Sequence, residues 1–115
     1  MRVFYDEQLA AAVRDEFSYN PANGRLYRRR LLTTTGYLLK QDVGRPDGRG
    51  YLRFHWYGKN WFMHRLVWVW FHGYLPDEME IHHVNRNRAD NRIQNLELLT
   101  RKEHIRAHNK KVDMW

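Results

Sequence analysis

Hydrophobic positions near the start of the chain recur every four residues. Leu9, Val13 and Phe17 are separated by acidic and basic residues, and this spacing places them on one face of a helix. Residues 20–24 contain Pro and Gly, which fix turn geometry that a helix cannot continue through. The pattern therefore predicts one amphipathic helix over residues 6–17.

Short extended segments follow the helix. In residues 51–57, Leu52 and Phe54 alternate with Arg53 and His55, which is typical of a strand with one buried face. Residues 57–60 contain a hairpin turn sequence. The remaining short runs bounded by Gly, Asp, Pro or Asn are 26–28, 36–40 and 61–64. Together these segments predict a small antiparallel sheet.

A short buried helix is predicted over residues 64–72. Leu66, Val67, Trp70 and Phe71 recur at helical spacing, and Gly73 follows the last of them. Gly commonly ends helices by supplying a chain reversal. We interpret the aromatic residues at 68, 70 and 71 as core rather than as a surface for stacking bases.

The last third of the chain predicts a strand, a loop, a second strand and a helix. Residues 78–84 and 96–99 are strand-like, and residues 85–91 are rich in side chains that bond to their own backbone. Thr100 and Glu103 form a capping box, in which each side chain satisfies an amide of the first helical turn. The helix is expected over residues 101–109.

Composition and charge restrict the class of protein. A chain of 115 residues suits one domain. Its net charge of +7 and isoelectric point of about 10.0 favour a polyanionic partner such as DNA or RNA. The chain has no Cys, so any metal must bind His, Asp, Glu or Asn. We find neither a membrane-spanning segment nor an apolar leader sequence, and we expect a cytoplasmic protein.

Four histidines near the C-terminus suggest a metal site. His104 and His108 lie four residues apart on the predicted helix, so they project from one face and suit one ion. By themselves they are a weak signal, because such a pair is more often two solvated residues of a basic helix. His82 and His83 are adjacent on a predicted strand and point to opposite faces. One can therefore bind a metal while the other keeps a free imidazole that acts as a base.

The arrangement of these segments resembles the ββα-metal core of the HNH nuclease family. The matching residues are Glu80-Ile81-His82-His83-Val84-Asn85, then Asn95-Leu96, then His104 and His108. The resemblance implies that His82 and His104 bind the metal, that His83 activates water and that Asn95 orients His83. In the colicin-like branch of the family a second helix histidine also binds the metal, and His108 occupies that position. A Glu at the position of Glu80 pairs in that branch with an arginine near the cleaved phosphate, although Glu80 could equally be an exposed strand residue.

The resemblance also implies the fold and the activity. We expect an α+β fold in a single domain, residues 1–115, with an N-terminal helix, a small antiparallel sheet and a buried helix in residues 1–75. The ββα-metal motif should occupy residues 76–111. The motifs around residues 17–26, 47–52 and 64–68, which precede the ββα-metal core, resemble those of small phage and homing-type members. We assign residues 1–75 to DNA docking and core support.

The expected function is metal-dependent hydrolysis of a DNA phosphodiester bond. The expected cofactor is one divalent ion, with zinc, nickel, manganese and magnesium as candidates. Some phage-type members have Asp and Asn where this chain has His82 and His104, and imidazole ligands suit zinc or nickel better than magnesium. The basic residues expected to contact DNA are Arg86, Arg88, Arg92, Arg101, Lys102 and Arg106.

The expected partner is double-stranded DNA. A single hydrolytic centre in an expected monomer predicts nicking of one strand. Two alternatives stay open at the level of sequence. One is a non-catalytic nucleic-acid-binding module with a zinc site made of histidines, and the other is a nuclease that acts on RNA.

Overall fold

The N-terminal helix was predicted correctly. The computed structural model describes residues 5–29 and 43–109, and for residues 107–109 it describes only the backbone. Helix α1 spans Glu7–Glu16 and is capped by the preceding Asp6, whose side chain accepts a hydrogen bond from the Leu9 amide at 3.0 Å. Its buried residues Ala10 and Val13 face the core. The chain passes directly from α1 into the first strand at Phe17.

The predicted N-terminal sheet is divided into two in the structure. Strands β1 (Phe17–Asn20) and β2 (Arg25–Arg28) form one antiparallel hairpin. The second sheet contains β3 (Arg45–Pro46), β4 (Leu52–Trp56) and β5 (Lys59–Phe62), in that order and antiparallel. The predicted strand over residues 36–40 lies outside the described residues.

The alternation along β4 places its side chains as predicted. Leu52, Phe54 and Trp56 are buried, whereas His55 is exposed. Strand β1 was not predicted, because its polar residues and the Pro that follows are typical of a turn. Phe17, at the start of β1, is fully buried and packs edge-on against Phe54 and Trp56 at 5.2 and 5.3 Å between ring centres.

Helix α2 (Met63–His72) lies at the centre of the core and packs against α1. Its fully buried residues include Leu66, Val67 and Val69. The aromatic residues at its end are less buried than the sequence pattern indicated, since Phe71 is 47% exposed. The helix ends at Gly73, whose φ of +94° is a conformation that residues with a Cβ rarely adopt. None of the helices in the described ranges is long and apolar enough to cross a membrane.

The C-terminal segment folds into the predicted ββα arrangement. Strands β6 (Met79–His83) and β7 (Leu96–Thr100) are antiparallel and joined by a loop that ends in a short 3-10 turn, Ile93–Asn95. Helix α3 spans Arg101–Asn109. The capping box forms as predicted, because the Glu103 carboxylate accepts from the Thr100 amide at 2.8 Å and the Glu103 amide donates to the Thr100 hydroxyl at 3.1 Å. The α+β fold class is confirmed.

Candidate active site

Two of the predicted metal-binding histidines meet between β6 and α3. His82 lies near the end of β6, and His104 lies in the second turn of α3. Their ring centres are 5.4 Å apart, with an angle of 66° between the ring planes. His82 is 7% exposed. The ββα fold therefore brings together two imidazoles that are 22 residues apart in the sequence.

Glu80 supports the helix histidine. The Glu80 carboxylate accepts a hydrogen bond from His104 Nδ1–H at 3.1 Å. Glu80 and His82 are two residues apart on β6, so both project toward α3, as the alternation of strand side chains predicts. A carboxylate on one imidazole nitrogen stabilises the tautomer whose other nitrogen has a lone pair for a cation. Glu80 thus bonds to His104, whereas the family resemblance implied that it would pair with an arginine.

The spacing of the two imidazoles suits a shared divalent cation. Each nitrogen of an imidazole pair lies about 2.0–2.1 Å from a bound zinc ion, which puts the ring centres roughly 5 Å apart at a tetrahedral angle. The observed 5.4 Å is close to this value. The described side chains do not include a cluster of three or more potential metal-binding groups. His108 lies on α3, but its side chain is outside the described residues, so its predicted ligand role stays a prediction.

His83 has different neighbours from His82. Its ring is 6% exposed and lies 5.1 Å from the ring of His64 and 6.2 Å from that of Tyr51, centre to centre. Its Nε2–H donates to Asn91 Oδ1 at 2.8 Å. Burial lowers the pKa of His83 below its usual value, and the hydrogen bond to Asn91 opposes this shift only in part. The imidazole is therefore held in its neutral form at neutral pH.

The asparagine in contact with His83 is not the predicted one. The family resemblance implied this role for Asn95, but the Asn95 side chain bonds to the loop instead. Its Oδ1 accepts from the Asn85 amide at 2.9 Å, and its Nδ2 donates to Asn85 Oδ1 at 3.0 Å and to the Asp90 carbonyl at 2.9 Å. Asn95 therefore shapes the loop, whereas Asn91 holds the imidazole. Asn95 ends the 3-10 turn Ile93–Asn95, and its side chain bonds to Asn85 at the start of the loop.

A cavity of about 250 Å³ connects the histidines. Its lining consists of Tyr51, Ile81, His82, His83, Arg86, Arg88 and His104. Arg88 is held in place by two contacts. Its Nη1–H donates to the Arg49 carbonyl at 2.9 Å, and its guanidinium lies 4.8 Å from the centre of the Tyr51 ring. Two of the six predicted DNA-contacting residues, Arg86 and Arg88, thus line the cavity.

The other four predicted DNA-contacting residues lie elsewhere. Arg92 forms a bidentate ion pair with Asp90, at 2.8 Å from Nε to Oδ1 and 2.7 Å from Nη2 to Oδ2. This pairing lowers the pKa of Asp90 to about 2. Arg101, Lys102 and Arg106 are exposed on α3. Arg92 therefore stabilises the loop, and the three residues of α3 are available to a partner on the helix surface.

Three residues around His83 were not identified from the sequence as functional. Tyr51 precedes β4 and forms one wall of the cavity. His64, on α2, is 8% exposed, and burial lowers its pKa to about 3. Asn91 is fully buried. The run Gly48-Arg49-Gly50 before Tyr51 could have indicated a turn close to the site, but no local pattern connects Asn91 or His64 with His83.

Comparison with known proteins identifies the class of this site. Residues 62–106 match a family model described as HNH endonuclease. The match begins at the end of β5 and includes α2, His82, His83 and His104, whereas His108 lies beyond it. Residues 62–106 of this chain are therefore similar to the HNH endonuclease family.

Two individual relatives and one solved structure are similar to this chain. A candidate HNH homing endonuclease of Bacillus subtilis (strain 168), the SPbeta prophage-derived YosQ, is 27% identical over 72% of this chain and 53% of its own length. The uncharacterized gene 5.3 protein of Enterobacteria phage T3 is 35% identical over 45% of this chain and 52% of its own. The solved structure of the HNH homing endonuclease I-HmuI, from work on DNA binding and cleavage, superimposes with a TM-score of 0.55 at 24% identity. It covers 85% of this chain, and the chain spans about half the length of each of these proteins.

Proposed function

We propose that this protein is a divalent-metal-dependent DNA endonuclease whose general base is His83. The observation that carries the proposal is the meeting, in one cavity, of a buried neutral histidine with the facing pair His82 and His104. We assign catalysis to residues 76–111 and DNA docking and core support to residues 1–75, within one domain.

His82 and His104 would hold the metal ion, with His108 as the third protein ligand. Nucleases of the HNH family use a divalent cation, and when bound here it would stabilise negative charge on the phosphate and on the departing oxygen. Glu80 keeps the His104 ring oriented for this role. Imidazole ligands favour zinc, nickel or another transition metal over magnesium.

His83 is suited to take a proton from water. With Asn91 Oδ1 accepting from Nε2–H, the tautomer has its lone pair on Nδ1, which is the atom that can accept the proton. The water oxygen then attacks the phosphorus atom, and the bond to the 3′ oxygen breaks. Because burial keeps the pKa of His83 low, the base is available at neutral pH without prior deprotonation.

Arg88 is the best-placed residue for a DNA phosphate near the reacting bond. Tyr51 and the Arg49 carbonyl fix its guanidinium at the cavity wall, so it loses little conformational freedom on binding. Arg86 lines the same cavity. The exposed Arg101, Lys102 and Arg106 extend the positive surface along α3, in agreement with the net charge of +7.

We expect cleavage of one strand. The chain supplies one His82-His83 pair and therefore one hydrolytic centre, so that a second cut needs a second protein molecule or a second encounter. Double-stranded DNA is the substrate that we propose for the monomer.

Supercoiled plasmid incubated with the purified protein tests the function. We expect open circles to accumulate before linear DNA, with a panel of divalent ions restoring activity after EDTA treatment. His83→Ala should be inactive while it binds the metal as the wild type does. Linear DNA from the first time points would contradict nicking by a monomer. Cleavage of RNA but not of DNA would contradict the substrate, and metal-dependent DNA binding without cleavage would contradict catalysis and favour a binding module.

A further inference from the structure

The β1–β2 hairpin contacts the loop that carries Asn91. Tyr19, on β1, donates from its hydroxyl to the Asn91 carbonyl at 3.0 Å and accepts from the Ile93 amide at 2.8 Å. The hydroxyl thus bridges the backbone on both sides of residue 92. Tyr19 and Asn91 are 72 residues apart in the sequence.

The turn of the same hairpin packs against the same peptide unit. Gly24 has a φ of +73°, and a Cβ added to it would lie 2.2 Å from the Arg92 amide nitrogen and 2.3 Å from the Asn91 carbonyl carbon. Such distances leave no room for a side chain, so this position requires Gly. Two separate contacts from one hairpin therefore converge on the peptide that joins Asn91 to Arg92.

The loop's own hydrogen bonds fix a different part of it. Asn95 bonds to Asn85 and to the Asp90 carbonyl, and Asn85 donates to the Asp90 carboxylate at 2.8 Å. These contacts hold residues 85–90 and the end of the loop. The Asn91 carbonyl is bonded instead by the Tyr19 hydroxyl.

We propose that Tyr19 is a positioning residue for His83, acting through Asn91. The Tyr19 hydroxyl fixes the Asn91 backbone, Asn91 Oδ1 accepts from His83 Nε2–H at 2.8 Å, and the lone pair for water is thereby held on Nδ1. The inference rests on the proposed role of His83 as base. It gives the N-terminal hairpin a catalytic purpose as well as a structural one.

Tyr19→Phe isolates the hydroxyl. The ring, which packs against Trp70 at 5.4 Å between ring centres, is retained. We expect kcat for plasmid nicking to fall roughly 10- to 100-fold, the range typical of a slightly displaced catalytic group. KM for DNA and the affinity for the metal should not change, because Tyr19 contacts neither the cavity arginines nor the facing histidine pair.

Tyr27→Phe is the matched control. Tyr27 lies on β2 of the same hairpin, and its hydroxyl accepts from Asn23 Nδ2 at 2.8 Å rather than from the loop. This variant should keep the wild-type kcat. A wild-type kcat in Tyr19→Phe would overturn the proposal, as would equal losses in the two variants, which would indicate general weakening of the hairpin.

Nuclear magnetic resonance separates this inference from the proposed function. In the wild type we expect the Ile93 amide to be protected from hydrogen exchange and the nitrogen signals of the His83 ring to show the Nε2–H tautomer. Tyr19→Phe should lose the protection and shift the His83 signals, and Tyr27→Phe should do neither. These readouts apply even if the protein does not cleave DNA. A rapidly exchanging Ile93 amide in the wild type, or His83 signals unchanged in Tyr19→Phe, would refute the positioning role.

Discussion

Replacement of His64 by Leu should protect the protein against mild acid. His64 is 8% exposed, and its ring lies among those of Tyr51, Phe62 and His83. Its Nδ1 is buried and has no hydrogen-bond partner among the described residues. Burial is the main reason that its pKa falls to about 3. The folded protein thus keeps this imidazole neutral over a pH range in which the unfolded chain binds a proton.

The size of the effect follows from linkage between proton binding and folding. The unfolded chain protonates His64 near pH 6.5, whereas the folded state does so only near pH 3. The stabilising contribution is therefore complete above pH 6.5 and is lost progressively as the pH falls below it. Each pH unit in this range lowers the free energy of unfolding by about 1.4 kcal/mol. Between pH 7.5 and pH 5 the loss from this one residue amounts to about 2 kcal/mol.

Urea unfolding at several pH values measures how much His64 contributes to the pH dependence of stability. The free energy of unfolding of the wild type should fall between pH 7.5 and pH 5 by about 2 kcal/mol more than that of His64→Leu. The comparison is made on metal-free protein, so that protonation of His82 and His104 contributes equally to both. Parallel curves for the two proteins would show that the folded state accepts a proton on His64, and the reasoning from burial would be wrong.

Three further predictions concern the site and its loop. His82→Ala and His104→Ala should each weaken metal binding strongly by calorimetry, since each removes one protein ligand; unchanged affinity in either would place the ion elsewhere. Asn95→Ala should lower the free energy of unfolding in urea by about 1–3 kcal/mol, because Asn95 is 5% exposed and its removal leaves the Asn85 amide and the Asp90 carbonyl without this partner. An unchanged free energy of unfolding would mean that other contacts hold the loop. Asp90→Asn should remove the stabilisation that the Asp90–Arg92 ion pair gives, which is complete above about pH 4 and is lost as the pH falls toward 2, because Arg92 depresses the pKa of the Asp90 carboxyl. The melting temperatures of the wild type and the variant should therefore converge at low pH. A constant difference between them would contradict this.

The local pattern of the sequence was enough to place most helices and strands. The spacing of Leu9, Val13 and Phe17 gave α1 to within one residue at either end. The capping box at Thr100 gave the start of α3. Such features depend on neighbours within one turn or a few residues, where covalent geometry fixes which side chains share a face. The same logic separated His82 from His83, whose ring neighbours in the structure differ.

The arrangement around the base was decided by contacts between distant parts of the chain. Asn91 bonds to His83, whereas Asn95, at the end of the 3-10 turn, bonds to Asn85 and Asp90. Tyr51 reaches the cavity from the turn before β4, and Tyr19 reaches Asn91 from the N-terminal hairpin.

What the sequence determined by itself was the order strand, loop, strand and helix in the C-terminal segment, since periodicity and capping within about 30 residues specify these elements. The roles of the histidines on them were implied by the family resemblance. What only the tertiary structure decided was which buried polar groups pair with one another. Several Asn and Tyr side chains could each satisfy a buried imidazole or carbonyl equally well. Which of them forms the hydrogen bond depends on how separate helices, strands and loops pack, and local sequence patterns do not specify that packing.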